Sequence, residues 1–196
     1  MTTRKEYRIS RPDQIRALAT PARQEIIDVL LSSGPGSATE IAAALGRPAD
    51  SLYYHIGKLK RVGLLLEGGK RRRGRREEVV YDLPGRPMRI IYDLGNRKVS
   101  ARIVDTIGAM LRITRRDFGE AVSEGTAAVS GPYRALWGGR VKGWISKSQL
   151  KEINQHLWEI CKIVLSPKGR TGNSLHSLTF VLTPLEPNPR GENKRR

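Results

Sequence analysis

Apolar positions along the first third of the chain recur at helical spacing and are punctuated by start and stop residues. In residues 13–19, DQIRALA, Ile15 and Leu18 share one face. Thr20-Pro21 then reads as a helix start, a threonine N-cap followed by proline at the first helical position. The helix it opens places Ile26, Ile27, Leu30 and Leu31 at core spacing and stops near Gly34, and SGPGS reads as a loop. Ser37 and Glu40 form a capping box, hydroxyl and carboxylate each satisfying an orphan amide, and open a short apolar helix, TEIAAALG. In residues 49–62, Leu52, Ile56, Leu59 and Val62 fall into one stripe that buries against the preceding helices. Leu64-Leu65-Leu66 and residues 78–83, EVVYDL, predict two strands joined by GGKRRRGRR. The predicted order is helix, helix, turn, helix, β-hairpin.

Residues 84–98 form a connector with room for an extra strand around Ile90-Ile91-Tyr92. From 99 to 122 apolar residues keep an amphipathic period for more than twenty residues, which predicts a long helix. A second capping box, Ser146 with Gln149, opens a stripe of Leu150, Ile153, Leu157, Ile160, Cys161 and Val164. Residues 174–183 alternate, with Leu178, Phe180 and Leu182 opposite Thr179, Val181 and Thr183, a strand pattern ended by Pro184. Residues 187–196 are a polar, basic tail. The fold class expected is mainly α, with the three helices and hairpin over residues 10–83 and a helical region with a terminal β-strand over 99–186.

Charge changes the picture more than composition does. The chain has 196 residues, 38% hydrophobic and 28% charged, enough apolar residues to bury a core. Its 36 Lys and Arg against 19 Asp and Glu give +17, which favours a polyanionic partner, nucleic acid first and anionic membrane second. Membrane is not expected, because no apolar run approaches the roughly 18 residues of a spanning helix. The start MTTRKEYRISRPD lacks the apolar segment of a secretory signal, and the single cysteine, Cys161, forms no internal disulfide. Both features point to a cytoplasmic protein. Most of the excess charge lies after residue 83, outside the segment where recognition is expected.

The stretch SLYYHIGKLKRVGLL, residues 51–65, leaves Asp50, Ser51, Tyr53, Tyr54, Lys58 and Arg61 off its apolar stripe. Solvated helix faces are rich in Glu and Lys, whereas this one presents Ser, Tyr and Tyr near its N-terminal half. Such groups donate to phosphates and reach base edges. The plainer alternative is that the tyrosines pad a helix–helix contact. The loop with Lys70, Arg71, Arg72, Arg73, Arg75 and Arg76 lies between two apolar strands, and its guanidinium groups suit phosphate forks and narrow minor grooves.

The run LATPARQEIIDVLL, then SATEIAAALG, then SLYYHIGKLKRVGLL, resembles the winged helix-turn-helix of ArsR-like bacterial transcriptional regulators. The motif Leu52, His55, Ile56, Leu59, Gly63, Leu64 carries the resemblance, which covers residues 13–83. It implies that Ser51, Tyr53, Tyr54, His55 and Lys58 face the major groove of double-stranded DNA, with the arginine loop as the tip of the wing. It also implies a homodimer built from the long second-region helix, regulating transcription, as a repressor. A winged-helix module that binds RNA or a protein partner is the alternative.

Metal-sensing members of that family carry a cysteine pair before the recognition helix; TEIAAALGRP has none, and His55, His156 and His176 lack ligand spacing. No cofactor is expected. Nor is there a nucleophile motif, paired-carboxylate signature or phosphate-binding loop, so no enzymatic activity is expected. Trp137, Trp144 and Trp158 all fall in the second region, as core and subunit contacts or as the walls of a candidate pocket for a small organic effector.

Overall fold

Pro12 and Pro21 each open a helix at the position where a missing N–H costs nothing, giving α1 (Pro12–Leu18) and α2 (Pro21–Ser33). The computed structural model describes residues 6–74, 76–166 and 172–186. Thr20 is the N-cap of α2, but its hydroxyl accepts from Arg23 Nη2 and caps no helix amide. The Ser37–Glu40 capping box forms as the sequence predicts and starts α3 (Ala38–Ala44). Next comes α4 (Asp50–Arg61), with Leu52, Ile56 and Leu59 buried as one stripe. Gly63, in the left-handed region at φ 74°, turns the chain out of α4, and the Leu64 N–H closes back onto the Leu59 carbonyl at 2.9 Å. The carbonyl of Val62 accepts from Gln14 Nε2 (3.0 Å) and Arg11 Nη2 (2.5 Å), so α1 holds the end of α4.

Two elements are strands that local pattern did not show. Tyr7–Ile9 (β1) pairs in parallel with Met88–Ile90, near the extra strand expected around Ile90. Gly36–Ser37 (β2), read as loop, pairs with the second wing strand. The wing itself consists of β3 (Leu66–Arg73) and β4 (Arg76–Asp82), and its sheet order is β2-β4-β3, antiparallel. Met88–Ile90 is β5. The arginine run is therefore strand rather than loop for most of its length: cross-strand pairing with Glu77 and Glu78 extends the ladder to Arg73–Arg76. A bulge between Glu67 and Gly69 places the extra residue at Gly68.

The long helix is α5 (Arg97–Glu124), capped by Asn96, whose side chain accepts from the amides of Lys98 and Val99. The boundary expected at residue 99 is not where packing changes. Val99, Ile103 and Ala109 are buried, and Thr106 Oγ1 donates to the Ile15 carbonyl (3.1 Å), so the first turns of α5 belong to the same core as α1 and α2. Its second half is different, with Leu111, Phe118 and Val122 exposed. Capped by Ser146 and Gln149, α6 (Lys147–Leu165) buries no residue. The terminal strand is not formed: residues 173–186 make no ladder, because a lone strand needs a second edge and none among the described residues pairs with it. Instead the Thr179 hydroxyl pairs with that of Thr114 on α5, 2.7 Å away. The chain is mainly α with a small antiparallel sheet. No helix among the described residues is long and apolar enough to cross a membrane.

Candidate nucleic-acid interface

Burial of Leu52, Ile56 and Leu59 fixes how α4 is rotated, and so fixes which side chains face outward. Tyr53 and Tyr54 are 54% and 66% exposed, far more than padding in a helix–helix contact allows. Lys58 lies on the same outward side, its Nζ 5.3 Å from the Tyr54 ring centroid. Tyr53 leans the other way and lines a 250 Å³ cleft between α3 and β4 with Thr39, Arg76 and Tyr81. Ser51 is exposed, but its hydroxyl donates to the Pro48 carbonyl at 2.7 Å, leaving it free only to accept.

His55 is half-buried and meets the edge of the Tyr54 ring, centroids 5.4 Å apart. Its Nδ1 is buried and has no hydrogen-bond partner among the described residues. Burial first, then the charges of Arg23 and Arg47, lower its pKa from the ordinary histidine value. The ring is therefore neutral at pH 7. Its ring packs edge-on against Tyr54 on α4.

The wing is a two-faced ribbon. Because side chains alternate along a strand, Arg71 and Arg73 share one face with Glu78, and Lys70 and Arg72 share the other with Glu77 and Tyr81. The first face looks toward α3: Arg71 Nη1 donates to Glu40 Oε1 (2.8 Å), and both arginines line a cleft of 540 Å³ with Gly36 and Glu40. The second face carries the Lys70–Glu77 pair at 3.0 Å. Among the described residues, Arg72 is held by its Nε donating to the Gly74 carbonyl at 3.2 Å. Arg75 lies outside the described residues, as does the tail 187–196.

The capping box also anchors the wing. Glu40 Oε2 accepts from the Ser37 amide while Oε1 takes Arg71. The pKa of Glu78 is lowered first by a hydrogen bond from Ser37, then by one from Thr39 and by the charges of Arg73 and Arg71. Ser37, 2% exposed, thus ties the start of α3 to the base of β4.

A third group lies behind α4 and was not found from sequence. Glu25 of α2 is 5% exposed; its two carboxylate oxygens accept from Arg47 Nη2 at 2.7 Å and from Arg116 Nη1 at 2.5 Å. Arg47 stands in the turn before α4, and Arg116 on α5, so one carboxylate joins the turn to the long helix. Arg23, in the first turn of α2, sits beside Tyr54 and His55. A cation at the positive end of a helix is locally unfavourable, and that mismatch is the signal sequence reading had for Arg23. Nothing local could have paired residues 25 and 116.

Asp28, one turn after Glu25, is exposed, yet partial desolvation and then the charges of Glu25 and Asp117 raise its pKa from 3.8 to about 6. A folded-state pKa above the unfolded one means that ionisation costs stability. The cost is absent below pH 4, grows as pH rises from about 4 to 6, and is complete above 6. Asp28→Asn is expected to stabilise the fold at pH 8 by about 1 kcal/mol, less than the full shift implies because solvent screens an exposed carboxylate. Urea midpoints at pH 4 and pH 8 check this: the gain at pH 8 should vanish at pH 4.

Trp137 and Trp144 are 71% and 90% exposed, Trp158 stacks on the Arg89 guanidinium at 3.8 Å, and the two clefts beside α3 are lined by none of the three. Among the described residues, no group of three or more His, Cys, Asp or Glu is placed to hold a metal ion.

Residues 18–67 match the sequence family described as a helix-turn-helix domain. No curated protein matches the chain. Among solved structures, the chain is similar to the crystal structure of the transcriptional regulator PA4135, at 15% identity and a TM-score of 0.29, over 74% of this chain and 78% of that one. The matched segment spans α2, α3 and α4, the elements that carry the tyrosine face. The chain thus contains a helix-turn-helix domain in its N-terminal part.

Proposed function

We propose that this chain binds duplex DNA sequence-specifically as a homodimer and regulates transcription, acting as a repressor of the ArsR-like winged-helix kind in the bacterial cytoplasm. The observation that carries the reading is the outward face of α4: two exposed tyrosines and Lys58 on a helix-turn-helix domain, with a basic ribbon rising from the same small sheet as the cap of α3. In this arrangement α4 enters the major groove and contacts base edges through Tyr54, while Lys58 and the ribbon hold phosphates. Repression needs nothing beyond occupancy of the duplex, which the helix and wing supply by themselves.

The test is a pair of titrations on Tyr54→Ala, with a selected duplex and with a random one. Because Tyr54 is a surface residue whose loss leaves the core intact, the fold should survive. Specific affinity is expected to fall by about 1–3 kcal/mol, with random-duplex affinity nearly unchanged. Equal losses on both duplexes would remove Tyr54 from the base-reading role. A wild-type chain that binds RNA in preference to any duplex would favour the interaction-module alternative.

A further inference from the structure

The larger cleft beside α3 stands apart from the tyrosine face. It has a volume of 540 Å³ and is lined by the end of α2, the turn through Gly34 and Gly36, α3 and the ribbon strand β3. Helix α4 meets the ribbon from the other face, where Lys60 Nζ lies 5.9 Å from the Tyr81 ring centroid and Tyr53 lines the smaller cleft. Alternation along β3 therefore divides the cations of the ribbon. Lys70 and Arg72 share the side of α4, whereas Arg71 and Arg73 stand over the larger cleft.

Two kinds of surface meet there. Val29, Pro35, Ile41 and Ala43 make an apolar wall. A Cβ on Gly36 would stand 3.5 Å from Glu40 Oε2 and 3.9 Å from Ile41 Cγ1, so the missing side chain is part of the open space. Glu40, the acid of the lining, is already engaged: Oε2 accepts from the Ser37 amide at 2.9 Å and Oε1 from Arg71 at 2.8 Å. Arg73 is exposed and acts on Glu78 by its charge, with no hydrogen bond or ion pair of its own among the described residues. Two guanidinium groups against one carboxylate leave the lining with a net positive charge beside its apolar wall.

We propose that this cleft binds a small organic acid, an aromatic or aliphatic body bearing one carboxylate. Arg73 and Arg71 take the charge, and the body lies on the apolar wall. The volume falls within the range of small-molecule sites, about 300–1,000 Å³. A guanidinium presents paired donors that match a carboxylate as a fork. An inorganic anion would leave the wall wet, and a neutral apolar molecule would desolvate Arg73 without pairing it. A duplex is too broad to enter and would leave the wall uncovered. Occupancy has a consequence for nucleic acid, because an arginine held by the acid is withdrawn from phosphate. The acid therefore weakens every duplex alike, and the duplex weakens the acid by the same factor. The site stands on the cleft itself; only this competition rests on the DNA binding proposed above.

The probe is 2-naphthoate, with 2-naphthalenemethanol and inorganic phosphate as controls. Each is titrated into the full chain and followed by calorimetry and by backbone amide shifts. Saturable naphthoate binding is expected, with shifts centred on Gly34, Gly36 and Ala44 and each control weaker by about tenfold or more. Arg73→Gln should weaken naphthoate by about tenfold, the loss of one charge-assisted contact. Ala43→Phe fills the cleft from an exposed position on α3 and should abolish binding with both arginines retained. Amide shifts away from the cleft report whether each variant folds, and the comparison of three probes on the wild type decides without them. Absence of naphthoate binding at about 10 mM overturns the site. So does the alcohol binding equally well, which marks an apolar crevice, or phosphate binding equally well, which marks a bare anion site. Shifts confined to residues 126–186 overturn it too, in favour of the exposed second region. With naphthoate saturating, random-duplex affinity at low salt should fall several-fold. Cleft binding with duplex affinity unchanged keeps the site and overturns the competition. A chain that binds no duplex overturns the proposed function, while the naphthoate titration still decides the site.

Discussion

A chain in which Arg71, Arg72 and Arg73 are all alanine is expected to lose duplex affinity by orders of magnitude at low salt and by little at high salt, for all sequences alike. Each phosphate contact contributes about −0.9 to the slope of log affinity on log salt. The three side chains are not equivalent. Arg71 is engaged with Glu40 and must exchange that partner for phosphate, whereas Arg72 is held, among the described residues, by the carbonyl of Gly74 two positions on. Counting about two effective contacts per chain, the slope should flatten by about 2 units for each bound copy, or about 4 for a two-fold dimer. Arg72→Ala alone should flatten it more than Arg71→Ala. The measurement is a set of binding isotherms from low to high salt on wild type and variants. An unchanged slope would make the ribbon a solvated tip and move the electrostatic footprint to the second region.

The second large effect concerns stability. Glu25→Ala is expected to cost about 3 kcal/mol, because it removes a buried carboxylate that satisfies two guanidinium groups. The cost stays at the low end of the range for broken buried pairs. Arg47 and Arg116 are 32% and 43% exposed and can turn toward water, and Asp28 is relieved of a neighbouring negative charge. For a chain of this size the melting temperature should drop by about 6–12 °C, compared at one fixed protein concentration. Urea unfolding with an unchanged m-value would confirm a loss of stability rather than a change in the unfolded chain. A loss below about 0.5 kcal/mol would show that both arginines rehydrate completely and that the link from α5 to the turn before α4 carries no energy.

What could be read from the sequence was whatever is encoded within one or two turns of helix. Ser37 with Glu40 and Ser146 with Gln149 announce their helices by three-residue spacing, and both boxes form. Leu52, Ile56 and Leu59 announce their stripe by periodicity, and all three are buried. The misses share a different cause. Tyr7–Ile9 is a strand only because Met88–Ile90 lies beside it, and Gly36–Ser37 only because Val80 and Tyr81 do. Arginines have no strand preference of their own, so the run 70–73 looks like a loop until the facing glutamates are placed across from it. The alternation in 178–182 was a genuine strand pattern without an edge to join. Of the candidate site, the outward tyrosines were legible because the buried stripe fixes their direction. The embedding of His55 was not, since it depends on Arg23 and Arg47 arriving from two other elements.

The bulge at Gly68 makes the wing tolerant of length. Its extra residue sits between the pairs Glu67–Tyr81 and Gly69–Val80, which are successive along β4. Deleting Gly68 would therefore leave a regular ladder with Lys70 to Arg73 opposite the same partners, so Arg71 and Arg73 would still look toward α3 and only the extra twist at the base of the wing would relax. A single in-frame codon loss at this point is thus absorbed without changing which charges face which way. Lineages that differ by this one residue would be expected to keep the same backbone grip.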